Sequence, residues 1–279
     1  MKVCVFGYGL MGRTHAKMYA SHPFVNQVTV VEPNENLFVY EESNINFKSK
    51  LNGSEKFDVV SICTPTYNHK NTFLKAKDVT RAILIEKPLA RTLDEALQIK
   101  TAAEKSGVSV YCAFVERFNP LLEQLKFQHK RAKYTFIRVA SIPEQSWYHD
   151  LTKSGGPLLD LGSHDLDLAM WITNSSVSLI DVKMENELYN VKLILSDGSQ
   201  ASIITGWIKT QGYFENSIAI NDKQVFGTEE LDQQRYPSAY RQQINAFLKV
   251  LTGEQNQLAS LDEALKVMEV YEKAHLLIK

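Results

Sequence analysis

The sequence predicts an α/β protein of two parts: a doubly wound parallel sheet, then an α+β part with a mainly antiparallel open sheet. Three observations carry this. Residues 1–118 alternate short apolar strands with amphipathic helices; residues 177–226 read as consecutive strands joined by tight turns; two helical stretches close the chain. Alternating strands and helices wind into a parallel sheet, whereas strands joined by short turns pair antiparallel. The domains expected are 1–118 and 119–279, with the C-terminal helices free to pack back on the first.

Each element has its own signal. KVCVF (2–6) is a strand, followed by a glycine turn and a helix running to about Ala20. VTVVE is a second strand, ending at Glu32. FDVVSICTPT (57–66) and RAILIEKPLA (81–90) are strands, with a helix beginning at HKNTFLKAK between them. Leu93–Ser106 is a helix with Thr92 as N-cap and Glu95 closing a capping box; Val108–Phe114 is the next strand. Asn119 as cap and Pro120 at the first position start a helix from Leu121 to about His129. Tyr134–Ile142 is strand-like. Asp197-Gly198 is a hairpin turn, and Val191, Leu193 and Leu195 alternate with Asn190, Lys192 and Ser196, so one face of that strand is buried and one wetter. The closing helices span about Tyr236–Leu251 and Ser260–Ile278, the second opened by a Ser260/Glu263 capping box.

Composition narrows the function. The chain has 279 residues, 23% charged, and a net charge of −1 with no basic block, which argues against nucleic acid. No apolar run reaches membrane-spanning length, and strand-like residues follow Met1 directly, so neither a membrane span nor a signal peptide is expected. Cys4, Cys63 and Cys112 are far apart in apolar runs. They read as reduced core residues of a cytoplasmic protein, and no metal set is evident.

The first chemical signal is G-Y-G-L-M-G, with Gly7, Gly9, Leu10, Met11 and Gly12 between a strand and a helix. Glycines there let backbone N–H groups approach a pyrophosphate at the positive end of the helix, as in Rossmann dinucleotide sites. Glu32, twenty residues beyond Gly12, sits where a ribose diol would lie. A carboxylate there accepts from ribose hydroxyls and repels a 2′-phosphate, and the following PNEN offers no cation. NAD is therefore expected over NADP. Lys87, beside Pro88 at a strand end, falls on the ligand edge of the sheet; a solvated turn is the competing reading.

The second signal is GGPLLDLGSHDLDLAMW (155–171), a glycine turn running into an apolar helix. Asp160, His164 and Asp167 are spaced i, i+4 and i+7, which places them on one helical face. Such groups among apolar neighbours are costly unless paired or used. A proton-transfer site and a hydrogen-bonded helix face both fit. Trp147 and Tyr148, just upstream, suit stacking on a sugar ring or packing in a core or interface.

GYGLMGRTH, CTPTYNH, EKPLA, VERFNP and GGPLLDLGSHDLD, in this order, resemble the Gfo/Idh/MocA oxidoreductases over essentially the whole chain. The resemblance implies a nicotinamide cofactor in the N-terminal domain and oxidation, or the reverse reduction, of a secondary alcohol of a sugar, polyol or nucleotide sugar. It implies that Lys87 contacts the substrate hydroxyl, His164 is the acid/base and Asp160 orients substrate. It further implies that Thr64, Pro65 and His69 line the cofactor, Glu86 lies near the nicotinamide ribose, and the open sheet makes a dimer or tetramer interface. Ala113–Pro120 looks like the corresponding segment of UDP-N-acetylglucosamine 3-dehydrogenases, which puts Arg117 and Asn119 in the substrate pocket beside Trp147. A general turn with a helix cap is the competing reading of RFNP. Three other functions compete: a non-catalytic NAD(P)-binding regulator, a biliverdin-reductase-like enzyme, and a metal enzyme using Asp160, His164 and Asp167. Retention of Lys87, Asp160 and His164 argues against the first, the Asp/His pair against the second, and the absence of a further His or Cys cluster against the third.

Overall fold

A computed structural model describes residues 1–38, 43–128, 130–228, 235–254 and 256–278. The chain divides into two units. Unit one comprises Met1–Ala90, Asp94–Ala113 and Tyr240–Ala264; unit two comprises Arg91–Leu93, Phe114–Ala239 and Leu265–Lys279. The change of unit expected after residue 118 thus falls after 113, and unit one also draws on a late stretch of chain.

Unit one is built on β1 (Lys2–Phe6), β2 (Gln27–Val31), β3 (Ile45–Lys48), β4 (Val59–Ile62), β5 (Ala82–Glu86), β6 (Ser109–Ala113) and the two-residue β13 (Ala259–Ser260). Their order is β13-β6-β5-β4-β1-β2-β3, parallel throughout except where β13 joins β6. Val3–Val5, Val59–Val60 and Ile83–Ile85 are fully buried, as strands covered on both faces must be. The helices are α1 (Leu10–Ala20), α2 (His69–Ala76) and nearly all of α3 (Leu93–Ser106). From β1 the chain winds outward to β2 and β3, then returns to β4 on β1's other side. That reversal opens a crevice beyond the carboxyl ends of β1 and β4, the place where open α/β sheets bind ligands. The strands predicted over 57–66 and 81–90 are shorter, because the Pro65 and Pro88 segments leave the ladder. β3 and β13 were not anticipated; four residues and two are too few for a periodic signal.

Unit two carries β7 (Lys133–Ser141), β8 (Val177–Glu185), β9 (Leu188–Leu195), β10 (Gln200–Ile208), β11 (Phe214–Ile220) and β12 (Lys223–Phe226), in the order β12-β11-β7-β10-β9-β8. Only β7 and β10 pair in parallel. Asp197-Gly198 makes the β9–β10 turn, with Gly198 at φ +87°. One sheet face is buried through Tyr134, Phe136, Val191, Leu193, Ala201 and Ile203, and the short α6 (Gly156–Asp160) and α7 (Gly162–Thr173) pack against this sheet. The other face leaves Ile137, Ile194 and Ile204 partly open to solvent.

Two helical expectations change in unit two. The helix expected over 121–129 is only α4 (Pro120–Glu123), before α5 (Leu151–Ser154). Phe127 adopts φ +63° and its N–H donates to Ile172 O at 3.0 Å, which draws the chain out of helical geometry. His129 lies outside the described residues. The Asn119 cap is present: its side chain accepts from Leu121 N–H at 3.1 Å, with Pro120 next. The single helix expected from Gly155 is two, broken at Leu161.

The remaining helices are α8 (Arg235–Lys249) and α9 (Leu261–Leu277). The capping box before α9 is formed: Ser260 Oγ accepts from Glu263 N–H at 3.3 Å, and Glu263 Oε2 accepts from Ser260 N–H at 2.9 Å. Among the described residues, no helix is long and apolar enough to cross a membrane.

Candidate active site

The glycine turn shows why each glycine is there. Gly7 has φ +89°, and a Cβ on it would meet Cys63 O at 2.7 Å; a Cβ on Gly12 would meet Gly7 O at 2.1 Å. Those two let β1, α1 and the Cys63 strand end close together. A Cβ on Gly9 would meet nothing within 4 Å, so the space above it is open to a ligand. α1 begins there with no side-chain cap and no acidic residue in its first turn, leaving its N–H groups to an anion. Leu10 is 80% exposed beside this opening, and Met11 is partly exposed. These features fit a dinucleotide pyrophosphate.

Glu32, at the end of β2, accepts from Tyr8 N–H at 3.0 Å and from Asn34 N–H at 2.9 Å. Its carboxylate is thereby fixed beside the glycine turn. Arg13, not anticipated as part of this region, donates from Nε to Tyr8 O at 3.2 Å and lies over the Tyr8 ring.

The far end of β5 is held from two sides. Glu86 is buried; its Oε2 accepts from Lys87 N–H at 3.2 Å, and its Oε1 lies 3.0 Å from His15 Nε2, within ion-pair distance but off the axis of a good hydrogen bond. His15, fully buried in α1, was not singled out in the sequence. The Lys87–Pro88 peptide is cis. His69, 1% exposed, has Nδ1 2.9 Å from Pro88 O and Nε2 2.9 Å from Thr64 O. In the loop expected to line the cofactor, both ring nitrogens of His69 face backbone carbonyls inside the unit. Burial pushes its imidazole below the usual value, against the opposing pull of the Thr64 and Pro88 carbonyls and the Glu86 charge. Thr64 and Pro65 remain partly exposed, at the end of β4. Cys63, expected in the core, is partly exposed, whereas Cys4 and Cys112 are buried.

In unit two, Gly155 at φ +77° both ends α5 and starts α6, and a Cβ on it would meet Leu159 Cδ2 at 2.4 Å. Asp160 is the last residue of α6, buried, and His164 is the third of α7, partly exposed. Leu161 between them keeps right-handed helical dihedrals, φ −87° and ψ −47°, and its N–H donates to Pro157 O at 2.8 Å.

Asp167, three residues beyond His164 on α7, is committed to a partner. It is buried and takes a two-pronged contact from Arg117, Nε to Oδ2 at 2.9 Å and Nη2 to Oδ1 at 2.6 Å. Arg117 is 3% exposed, so its expected contact with substrate is replaced by a pairing that braces α7. A second arginine, Arg138 of β7, reaches Asp165 Oδ1 from Nη2 at 3.0 Å and Glu116 Oε1 from Nη1 at 3.0 Å. Sequence reading missed it, although a signal exists. Arg138 stands at an inward position of β7, in line with buried Tyr134 and Phe136, and a charge there must be paired. With Asp167 held by Arg117, the metal-ligand reading of Asp160, His164 and Asp167 loses a member. Trp147 stacks on Tyr148 at 3.8 Å, and Tyr148 meets Trp207 edge-on at 5.7 Å.

Unit one therefore has the fold and glycine turn of an NAD-binding Rossmann oxidoreductase. Its residues 1–114 match the family described as "Oxidoreductase family, NAD-binding Rossmann fold", and residues 126–229 match the "GFO/IDH/MocA C-terminal domain". The chain belongs to the GFO/IDH/MocA family of oxidoreductases. It is 24% identical to the rhizopine catabolism protein MocA of Rhizobium meliloti, over 96% of this chain and 92% of that protein. It is 26% identical to scyllo-inositol 2-dehydrogenase (NAD(+)) of Bacillus subtilis, over 64% of this chain. That match spans 56% of the Bacillus protein, and a match to a second Bacillus subtilis oxidoreductase, YrbE, spans 38% of it. Its fold matches GenD2 from gentamicin A biosynthesis, solved with NAD, at TM-score 0.83 and 19% identity, over 99% of this chain and 93% of that one. It also matches the WlbA dehydrogenase of Thermus thermophilus, solved with NAD and UDP-GlcNAcA, at TM-score 0.79 and 21% identity, over 97% and 93%.

Proposed function

We propose that this chain is an NAD-dependent dehydrogenase acting on a secondary alcohol of a sugar, polyol or nucleotide sugar. The observation that carries the reading is Lys87, set at the carboxyl end of a central strand and followed by a turn held through Glu86 and His69. Lys87 is assigned to the substrate hydroxyl, where a cation stabilises the developing alkoxide. His164 is assigned as the base that takes the hydroxyl proton, a role suited to imidazole near neutral pH, and Asp160 orients the substrate. NAD, when bound, supplies the nicotinamide that accepts hydride. Gly7, Gly9, Leu10, Met11, Gly12, Glu32, Thr64 and Pro65 would hold it. Glu32 favours an unphosphorylated ribose, and Arg13 nearby is the reason to measure NADP alongside NAD. Trp147, in its aromatic stack, and Asn119 are assigned to the substrate side.

The names of related proteins supply the test panel. They include scyllo-inositol 2-dehydrogenase, glucose-6-phosphate 3-dehydrogenase and UDP-N-acetylglucosamine 3-dehydrogenase. Purified protein with NAD and scyllo-inositol, myo-inositol, glucose 6-phosphate or UDP-N-acetylglucosamine is expected to form reduced nicotinamide with one group. Lys87→Ala should lower that turnover about 100-fold or more while NAD affinity stays near wild type. Undiminished turnover in this variant refutes the role of Lys87. NAD binding with no turnover across the panel favours a regulatory role instead. The half-open outer face of the unit-two sheet, with Ile137, Ile194 and Ile204, supports assembly into a dimer or tetramer, which light scattering would measure.

A further inference from the structure

We infer that His69 is a positioning residue for Lys87, tying the turn that carries the lysine to the loop at the end of β4. The inference deepens the proposed function and rests on it for the catalytic consequence, though the positional claim concerns unit one alone.

The geometry is direct. An imidazole is a rigid plate whose two nitrogens, joined through Cε1, point outward in diverging directions. Here one nitrogen lies 2.9 Å from Pro88 O, one residue past Lys87, and the other lies 2.9 Å from Thr64 O, just past the end of β4. A neutral ring has one N–H and donates to only one of the two carbonyls, its other nitrogen resting beside the second without a hydrogen bond; a protonated ring donates to both. On the preceding side, Glu86 accepts from Lys87 N–H at 3.2 Å, and its other oxygen lies 3.0 Å from His15. Lys87 is thus bracketed by backbone contacts on both flanks, each leading to a buried histidine. This arrangement suits a side chain that must be presented at one place. A displacement of about 1 Å at a reacting group can cost about 100-fold in rate. Glutamine, with one amide, cannot reproduce the span.

The test reads Lys87 without requiring a substrate. Lysines of the full chain are reductively methylated with 13C formaldehyde, which keeps their charge. The Lys87 signal is then identified by its absence in Lys87→Arg. In His69→Ala the signal is expected to move to the position of the exposed lysines. In His69→Gln it should lie between that position and wild type. NAD affinity is followed in parallel by fluorescence titration, because Thr64, whose carbonyl the ring faces, is assigned to NAD. An unmoved Lys87 signal in a folded His69→Ala protein overturns the inference. If that variant does not fold, an unmoved signal in His69→Gln overturns it equally. A large loss of NAD affinity with an unmoved lysine signal returns His69 to the cofactor and also overturns it. On the first panel compound that reduces NAD, His69→Gln should lower kcat more than it raises KM for NAD. Lys87→Ala is assayed in parallel: wild-type turnover there refutes the role of Lys87 while leaving the signal shift to be judged separately.

Discussion

At the residue scale, Glu32 and His69 show how a motif side chain can be legible in position and illegible in use. The position of Glu32 was readable because the role proposed for it needs only a strand end and a carboxylate. The structure adds that the carboxylate is fixed by two backbone N–H groups. Glu32→Ala should weaken NAD more than NADP, measured by paired titrations; equal effects would refute the ribose assignment. His69 was placed on the cofactor by its motif, whereas its contacts are two carbonyls, a matter of tertiary geometry that spacing does not encode. Its imidazole lies below the ordinary value of 6.5 because burial penalises the charge. A depressed histidine is neutral in the folded chain where the unfolded chain already takes a proton. The stability tied to His69 is therefore present above pH 6.5 and lost as pH falls from there toward the folded-state value. Urea unfolding over that range should show wild type losing stability on acidification and His69→Gln losing less.

At the element scale, breaks and pairings count for more than periodicity. The 155–171 stretch gave its apolar character away, but not its interruption at Leu161. Helical spacing grouped Asp160, His164 and Asp167, and the structure adds that Asp167 is committed to Arg117. Arg138 binds β7 to α7 through Asp165 and to the Glu116 turn, all three side chains being buried. Removing one partner of such a set leaves a charge without its counter-ion. Arg138→Met should cost about 3–5 kcal/mol in equilibrium unfolding, and a loss below about 1 kcal/mol would contradict the network's importance. The Ser260 box is a milder case: Ser260→Ala should cost about 0.5–2 kcal/mol, read as a lowered Tm. That box was fully legible because both of its residues are local.

At the scale of the whole molecule, the two fold types were readable, since alternation of strands and helices and succession of strands are long signals. The seven-stranded order, the parallel β7–β10 pairing and the short β3 and β13 were not, because each depends on partners far along the chain. Unit one illustrates this most clearly. It takes in Tyr240–Ala264, where Phe247 meets Tyr111 and β13 lines the edge of β6. A chain cut after residue 118 should expose that edge and aggregate or bind NAD poorly, as sedimentation and calorimetry would show, whereas stable NAD binding would mean the late stretch is dispensable. The same feature bears on biosynthesis. A ribosome releases the chain in sequence order, yet the nucleotide-binding unit waits for its last strand until every strand of the unit-two sheet has emerged. A nascent chain therefore carries that edge of the sheet uncovered while the strands of unit two are being made.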